Sequence, residues 1–209
     1  MRQGGTGRWI VGISGASGAT YGVTLVHALL ERGYQVELII TDAGWRVLHD
    51  ELGWNAAKRS DMIKLHWPER EGAGKLVYHP IQDIGATIAS GSYLTDGMAI
   101  VPCSMGSLSA IAHGGSSNLL QRAADVMLKE GRRLVIMPRE TPLSAIHLEN
   151  MLKLSRLGVA VVPAMPAYYN KPETIDDIVR YMVGKTLDAM GVDNDMYSRW
   201  GASDGERGR

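Results

Sequence analysis

Gly12-Ile-Ser-Gly-Ala-Ser-Gly18 separates a short apolar segment, Trp9–Ile13, from a longer segment, Gly18–Arg32, whose apolar residues repeat at helical spacing. We interpret this stretch as a buried strand, a tight turn and a helix. The N–H groups that begin a helix suit a phosphate, the glycines let the backbone approach the ligand, and Ser14 and Ser17 add hydroxyl donors. Ser14 interrupts G-x-G-x-x-G and the turn has no P-loop lysine, which weakens the case for a dinucleotide or NTPase site. A capped helix without a ligand remains the alternative.

Strand-like and helix-like segments alternate along the rest of the chain. Further strands are predicted at 36–40, 97–101, 134–137 and 159–162, with helices at 42–52, 118–130, 143–157 and 174–190. This alternation predicts right-handed crossovers and an α/β, Rossmann-like three-layer sandwich with a mostly parallel sheet. Asp42 is the predicted N-cap of the second helix. Residues 53–75 are predicted to be irregular, apart from one short helix near 56–64. We expect a single domain at 8–201, with flexible tails at 1–7 and 202–209.

Composition restricts the function classes. The 209 residues include 22 basic and 22 acidic side chains, and the net charge of 0 argues against a nucleic-acid binder. Cys103 is the single cysteine, so no intrachain disulfide can form, which fits a cytoplasmic protein. No apolar run reaches the roughly 18 residues that a membrane span needs. The six histidines are scattered and form no ligand motif, so we expect no metal site.

The carboxyl ends of the predicted strands are the expected place for a ligand, because open parallel sheets bind ligands there. The residues that follow the strands are 14–18, 41, 102–107, 138–140 and 163–169. Arg139 and Glu140 come directly after Pro138, where charged side chains are less expected than on a helix surface. The hydroxyl of Thr41 is sufficient for a mononucleotide, whereas Asp42 could imitate the acid that binds a ribose in dinucleotide sites.

A group of cations and one phenol could bind a phosphate dianion. Arg122 and Lys129 are seven residues apart on one face of a predicted helix, with Asp125 placed to pair with either of them. Lys185 lies on the last helix and Tyr169 in the loop before it. The alternative for the three cations is solvated helix surface. The Asp176-Asp177 pair lacks a third acid, so a diphosphate held through Mg²⁺ is not supported, while a monophosphate held by protein cations is consistent.

Taken together, these segments resemble the UbiX-like flavin prenyltransferases. The resemblance covers about residues 8–201 and is weakest over 53–80. It rests on the segments 11–19, Ala89-Ser-Gly-Ser92, 102–110, 122–130, Pro138-Arg-Glu-Thr-Pro142, 147–152, Pro166-Ala-Tyr-Tyr169 and Arg199-Trp200. The combination of Arg122, 138–142 and 147–151 is its most specific part. Lys185 stands where many members have Arg, and Thr41 where Ser is common.

The resemblance implies a flavoprotein-type fold and a reaction. Such enzymes transfer a dimethylallyl group from dimethylallyl monophosphate to N5 of reduced FMN and close a ring at C6. The product, prenylated FMN, serves a UbiD-type decarboxylase. The family forms a dodecamer whose sites lie between subunits, with the Tyr169 and Lys185 positions supplied by a neighbour.

The resemblance also implies site residues. Those expected to contact FMN are Gly15, Ala16, Ser17, Thr41, Ser104, Met105, Gly106, Ser107 and Arg139. Those expected near the allylic phosphate and prenyl group are Ser90, Arg122, Lys129, Arg139, Glu140, Tyr169, Lys185 and Trp200. Glu140 and Ser17 are expected to move protons, and Glu51 matches an acid near the prenyl group. Trp200 matches an aromatic residue that closes the site.

Two other functions remain open at this point. An FMN-dependent cysteine decarboxylase of a related flavoprotein group would need a catalytic histidine and an Asn-containing substrate motif, which His79, His113 and Asn118 do not form. A non-catalytic flavin carrier would need the glycine-serine turn but not the cations Lys129, Arg139 and Lys185.

Overall fold

A computed structural model describes residues 7–199, in which six strands form one parallel sheet. The strands are β1 (Arg8–Ile13), β2 (Gln35–Ile40), β3 (Leu76–His79), β4 (Gly97–Cys103), β5 (Arg133–Pro138) and β6 (Ala160–Val161). Their order across the sheet is β3-β2-β1-β4-β5-β6, and each neighbouring pair is parallel. The chain therefore continues to opposite sides from β1 and β4, and a crevice opens at the carboxyl ends of these two strands.

Helices cover both faces of the sheet, which confirms the predicted three-layer sandwich. They are α1 (Ala19–Glu31), α2 (Asp42–Leu52), α3 (Arg59–His66), α4 (Met105–Ala112), α5 (Leu119–Lys129), α6 (Ala145–Arg156) and α7 (Ile175–Met190). One apolar core joins α1, α2, α3 and α7 to the sheet, and a second joins α4, α5 and α6 to the other face. Within residues 7–199, no helix is long and apolar enough to cross a membrane.

The main strands and helices lie close to their predicted places, with four local differences. Strand β3 was not predicted, because Leu76–His79 is short and only partly buried at the sheet edge. Helix α4 was not predicted either, since it begins in a segment of small polar residues. The N-cap of α2 is Thr41 rather than Asp42, because the Thr41 hydroxyl accepts from the Gly44 N–H at 2.9 Å. Strand β6 is shorter than predicted.

Candidate functional site

Four turns meet at the carboxyl edge of the sheet. Ser14–Ser17 follows β1, Thr41 follows β2, Ser104 follows β4 and Arg139 follows β5. These strands are consecutive neighbours in the order β2-β1-β4-β5. The structure therefore brings together the residues expected to contact FMN, along an edge about 15 Å wide at ordinary strand spacing. Their individual roles stay predictions.

Ser14 joins two of these turns. Its hydroxyl donates to the Pro102 carbonyl at 3.0 Å and accepts from the Ser104 N–H at 2.7 Å. The Ser14 N–H also donates to the Pro102 carbonyl, and the residue is 1% exposed. The expectation that Ser14 offers its hydroxyl to a ligand is therefore wrong, because that group is committed inside the protein. Ser17, by contrast, is exposed.

The Ser104–Ser107 turn is the beginning of helix α4. Ser104 caps this helix, because its hydroxyl accepts from the Ser107 N–H at 3.3 Å and donates to the Ser107 hydroxyl at 3.1 Å. A Cβ at Gly106 would have no atom within 4 Å, so this turn faces open space. A helix start facing open space offers N–H donors to an anionic or carbonyl-rich ligand.

Glu51 binds two N–H groups where the turn after β1 leads into α1. Its carboxylate accepts hydrogen bonds from the N–H of Gly18 at 3.0 and 3.1 Å and from the N–H of Ala19 at 2.9 Å. These are donors at the start of α1, which the sequence interpretation assigned to a phosphate. The anion that these two N–H groups bind is therefore the carboxylate of Glu51. The place of Glu51 beside a prenyl group stays a prediction.

Gly15 keeps the first turn close to the start of α2. A Cβ at this position would collide with the side chain of Ala43, two residues beyond Thr41. The small residue therefore allows the turns after β1 and β2 to touch, which brings Ser17 and Thr41 to one side of the crevice.

Arg139 lines a cavity of about 260 Å³ between the end of β5 and the loop after β6. Its side chain is half-buried, and within the described residues its buried Nε has no hydrogen-bond partner. Glu140 is exposed, and its carboxylate accepts from the Thr141 N–H at 2.9 Å rather than pairing with Arg139. A buried guanidinium nitrogen without a partner is costly, so this arrangement fits an anionic ligand.

Lys129 and Ser90, both expected near the allylic phosphate, lie near the amino ends of the strands. Lys129 is the last residue of α5, only four residues before β5 begins at Arg133, and its ammonium is 3.6 Å from Glu130 rather than from Asp125. Ser90 precedes the beginning of β4. The two ends of β5 are about 16–17 Å apart. One copy of the chain therefore does not bring Lys129 and Ser90 to Arg139. Arg122, in the first turn of α5, lies about 10 Å along the helix axis from Lys129.

Tyr169 and Lys185 lie on the face of the sheet that α7 covers. Tyr169 is exposed, and its hydroxyl is 3.3 Å from that of Tyr181 on α7. Lys185 is 3.9 Å from Asp188, and its ammonium lies 5.8 Å from the ring centre of Tyr197. Trp200 lies outside the described residues.

Asp188 was not singled out from the sequence, although it organises this region. It accepts hydrogen bonds from Tyr197 at 2.5 Å, from Arg199 at 2.8 Å and from Asn194 at 2.9 Å. Burial opposes ionisation, but these donors outweigh it and hold the pKa of Asp188 below its ordinary value. The carboxylate therefore fastens the segment after α7 across that helix.

Cys103 and the metal-binding side-chain types can be described for residues 7–199. Burial raises the pKa of the Cys103 thiol to about 12, so the thiol stays protonated and unreactive. No three His, Cys, Asp or Glu side chains in this range lie close enough together to hold a metal ion.

Comparison with known proteins finds a matching family profile and relatives that match over most of the chain. The Flavoprotein family profile matches residues 2–187. The flavin prenyltransferase UbiX of Halalkalibacterium halodurans is 53% identical over 195 residues, which are 93% of this chain and 94% of that protein.

Two solved structures share both fold and sequence. A dodecameric FMN-dependent UbiX-like decarboxylase from Escherichia coli O157:H7 has a TM-score of 0.83 and 44% identity, over 92% of this chain and 98% of that one. AnUbiX (PadA1), in complex with FMN and dimethylallyl pyrophosphate, has a TM-score of 0.85 and 36% identity, over 95% of this chain and 100% of that one.

Proposed function

Because this chain belongs to the Flavoprotein family, and within it to the UbiX-like flavin prenyltransferases, we propose that it transfers a dimethylallyl group from dimethylallyl monophosphate to N5 and C6 of reduced FMN. The product, prenylated FMN, would supply a UbiD-type decarboxylase. The reaction needs no metal, since protein cations bind the phosphate. The observation that supports this proposal best is the row of four turns at the carboxyl edge, beside the unpartnered buried nitrogen of Arg139.

The residues of the carboxyl edge fit FMN. Gly106 faces open space, where a ligand can approach the backbone, and the Ser104–Ser107 helix start supplies N–H and hydroxyl donors. Thr41 caps α2 through its oxygen and can still donate its hydroxyl proton to a ligand. Reduced FMN supplies the nucleophilic nitrogen, and Arg139 supplies a fixed cation at the edge of the cleft.

The chemistry of the protein is electrostatic. Breaking the allylic C–O bond leaves a phosphate dianion, which Lys129, Arg139 and Lys185 stabilise through fixed positive charge. Glu140 has an exposed carboxylate beside the cavity and can accept a proton released near the flavin, with Ser17 as a second candidate on the opposite turn. Trp200, which lies outside the described residues, is the aromatic residue to which we assign shielding of the allylic cation from water.

A complete site requires more than one copy of the chain. Lys129 and Ser90 lie near the amino ends of the strands, whereas Arg139 and Glu140 lie beyond the carboxyl ends. A phosphate held by all four must therefore sit between copies, with Tyr169 and Lys185 also supplied by a neighbour. The dodecamer of the Escherichia coli relative is the assembly that we propose for this chain. A cytoplasmic location fits a reaction that uses reduced flavin.

An anaerobic reaction tests the proposal. The protein is mixed with reduced FMN and dimethylallyl monophosphate, and the extracted flavin is analysed by mass spectrometry. A gain of one dimethylallyl group supports transfer. Tight FMN binding without a mass gain would instead identify a flavin carrier, and release of CO₂ from a C-terminal cysteine peptide would identify a cysteine decarboxylase. Glu140→Gln is the matched variant, and unchanged turnover would remove Glu140 from the chemistry.

A further inference from the structure

Glu37 is a carboxylate inside the sheet, 1% exposed, on strand β2. Its Oε2 lies 2.6 Å from His79 Nε2, and its Oε1 accepts hydrogen bonds from Tyr93 at 2.6 Å and from Gln35 at 2.8 Å. The Nε of Arg8 is 3.3 Å from the same Oε1. We call these five residues the Glu37 cluster.

The cluster is not needed for core packing alone. A buried charged group is stable only with good partners, and apolar residues of similar volume often stabilise a fold as well or better. Burial raises the pKa of Glu37, but hydrogen bonds from His79 and Tyr93 outweigh it, so that its pKa lies below the ordinary value. The carboxylate is therefore charged and directs its partners in fixed orientations.

Two arginines hold the loop that contains Tyr93. Arg132 donates to the carbonyl of Tyr93 at 2.7 Å and to that of Gly91 at 2.5 Å. Arg8 donates to the carbonyl of Leu94 at 3.0 Å, and its guanidinium lies 4.3 Å from the ring centre of Tyr93. Arg8 and Arg132 thus hold both the Tyr93 ring and the backbone of this loop in place.

The fixed loop contains Ser90, and it lies against the end of α5. The hydroxyls of Ser90 and Ser92 are exposed and 2.8 Å apart. A Cβ at Gly91 would collide with the carboxylate of Glu130, whose Oε1 is 3.6 Å from the ammonium of Lys129. The loop that contains Ser90 and the ammonium of Lys129 therefore both lie next to Glu130, near the amino end of β5.

We propose that Glu37, Tyr93 and Arg132 are positioning residues that preform the Ser90 loop as one half of the allylic-phosphate site. This inference rests on the proposed function, because Ser90 and Lys129 bind the phosphate only if the substrate is an allylic phosphate. The three residues act through the loop and do not contact the substrate. A preformed loop loses little conformational entropy on binding, so its benefit appears in affinity for the phosphate.

Tyr93→Phe is the most direct test, because it keeps the ring over Arg8 and removes only the hydroxyl that Glu37 holds. The expected result is a rise of about three- to tenfold in the Kd and KM for dimethylallyl monophosphate, with kcat and FMN affinity within about twofold. Arg132→Lys keeps the charge, loses the two-pronged contact and should shift the same constants. Hydrogen exchange at the amides of 90–96 should accelerate in both variants.

Tyr78→Phe is the matched control. It also removes one phenol, whose oxygen accepts from Trp45 Nε1 at 3.2 Å outside the loop, and it should leave the Kd for dimethylallyl monophosphate unchanged. Calorimetry on the FMN-loaded protein measures this Kd independently of turnover. Equal Kd values for wild type, Tyr93→Phe and Arg132→Lys would overturn the positioning role. Binding without product by the wild type would reject the proposed function alone, and no binding by the wild type would reject both.

Discussion

Glu51 and Gly18 are 33 residues apart in sequence, yet both carboxylate oxygens of Glu51 accept hydrogen bonds from the Gly18 N–H. The end of α2 thereby caps the beginning of α1. The negative charge lies at the positive end of the helix, where such a contact stabilises the fold. The helix whose start suggested a phosphate site thus already holds an anion, and the row of turns from Thr41 to Arg139 becomes the stronger argument for flavin binding.

Glu51→Ala should lower the free energy of unfolding by about 1 kcal/mol, because two N–H groups at the start of α1 lose their acceptor. Urea unfolding of the FMN-free protein measures the change. Asp50→Ala is the control, since Asp50 is adjacent and makes only an exposed pair with Arg46 at 2.8 Å. That control should change stability by less than about 0.5 kcal/mol. Equal effects in the two variants would contradict the capping role.

Lys129→Ala and Arg139→Ala should each abolish most turnover, and co-expression of the two inactive chains should restore part of it. If one site takes Lys129 from one copy and Arg139 from another, random mixing gives about a quarter of the sites an intact pair. Prenylated flavin formed by the mixed oligomer is the measurement. A mixture as inactive as either parent would mean that both residues act within one chain. Mixing two preparations of Lys129→Ala is the control and should remain inactive.

The stabilisation that Asp188 provides should depend on pH. Its pKa in the folded protein lies below the ordinary value of 3.8. A lowered carboxylate pKa gives stabilisation that is present in full above about pH 5 and disappears as the pH falls through the folded value. The difference in unfolding free energy between wild type and Asp188→Asn should therefore be largest near neutral pH and shrink below pH 4.

Asp195→Asn is the control for this titration. Asp195 lies in the same segment and pairs with Arg32 at 2.8 Å, but its side chain is 95% exposed. Its replacement should change stability by less than about 0.5 kcal/mol at any pH. A difference between wild type and Asp188→Asn that stays constant from pH 7 to pH 3 would refute the assignment.

Cys103 should resist alkylation in the native protein. With a thiol pKa raised to about 12 by burial, only about one molecule in ten thousand is a thiolate at pH 8. Iodoacetamide should label the cysteine in urea but not in buffer, as mass spectrometry can show. Cys103→Ala should keep prenyl transfer. Labelling of the native protein at the rate of a free cysteine would mean that the thiol is accessible and could react.

Sequence patterns were sufficient for the main parts of the fold. Apolar runs such as 9–13 and 134–137 identified the central strands, and the helical spacing over Gly18–Arg32 identified α1. The edge strand β3 is half-buried and its apolar run, Leu76–Tyr78, is only three residues long, so the sequence alone does not distinguish it from a loop. Helix α4 depends on the Ser104 cap and on burial of Met105, and neither is visible in local propensity.

The site was harder to predict, because the presence of a charged residue in the sequence does not show at which end of the sheet it lies. Helix α5 runs back towards the amino ends of the strands, so that its last residue, Lys129, lies far from the turn that contains Arg139. Both residues are cations next to β5 in sequence. Lys129 precedes the strand and Arg139 follows it, so they lie at opposite ends of the strand. Glu37 had a visible signal, namely an acid inside the apolar strand 35–40, but its partners come from three other segments.

The buried hydroxyl of Ser14 has a mechanical consequence. Since it donates to the carbonyl of Pro102 and accepts from the N–H of Ser104, it holds the turns after β1 and β4 together. Separating these two turns would break both hydrogen bonds of a buried hydroxyl. We therefore expect the crevice to keep its shape without a ligand. A ligand that binds in this crevice therefore finds its two sides already held in place.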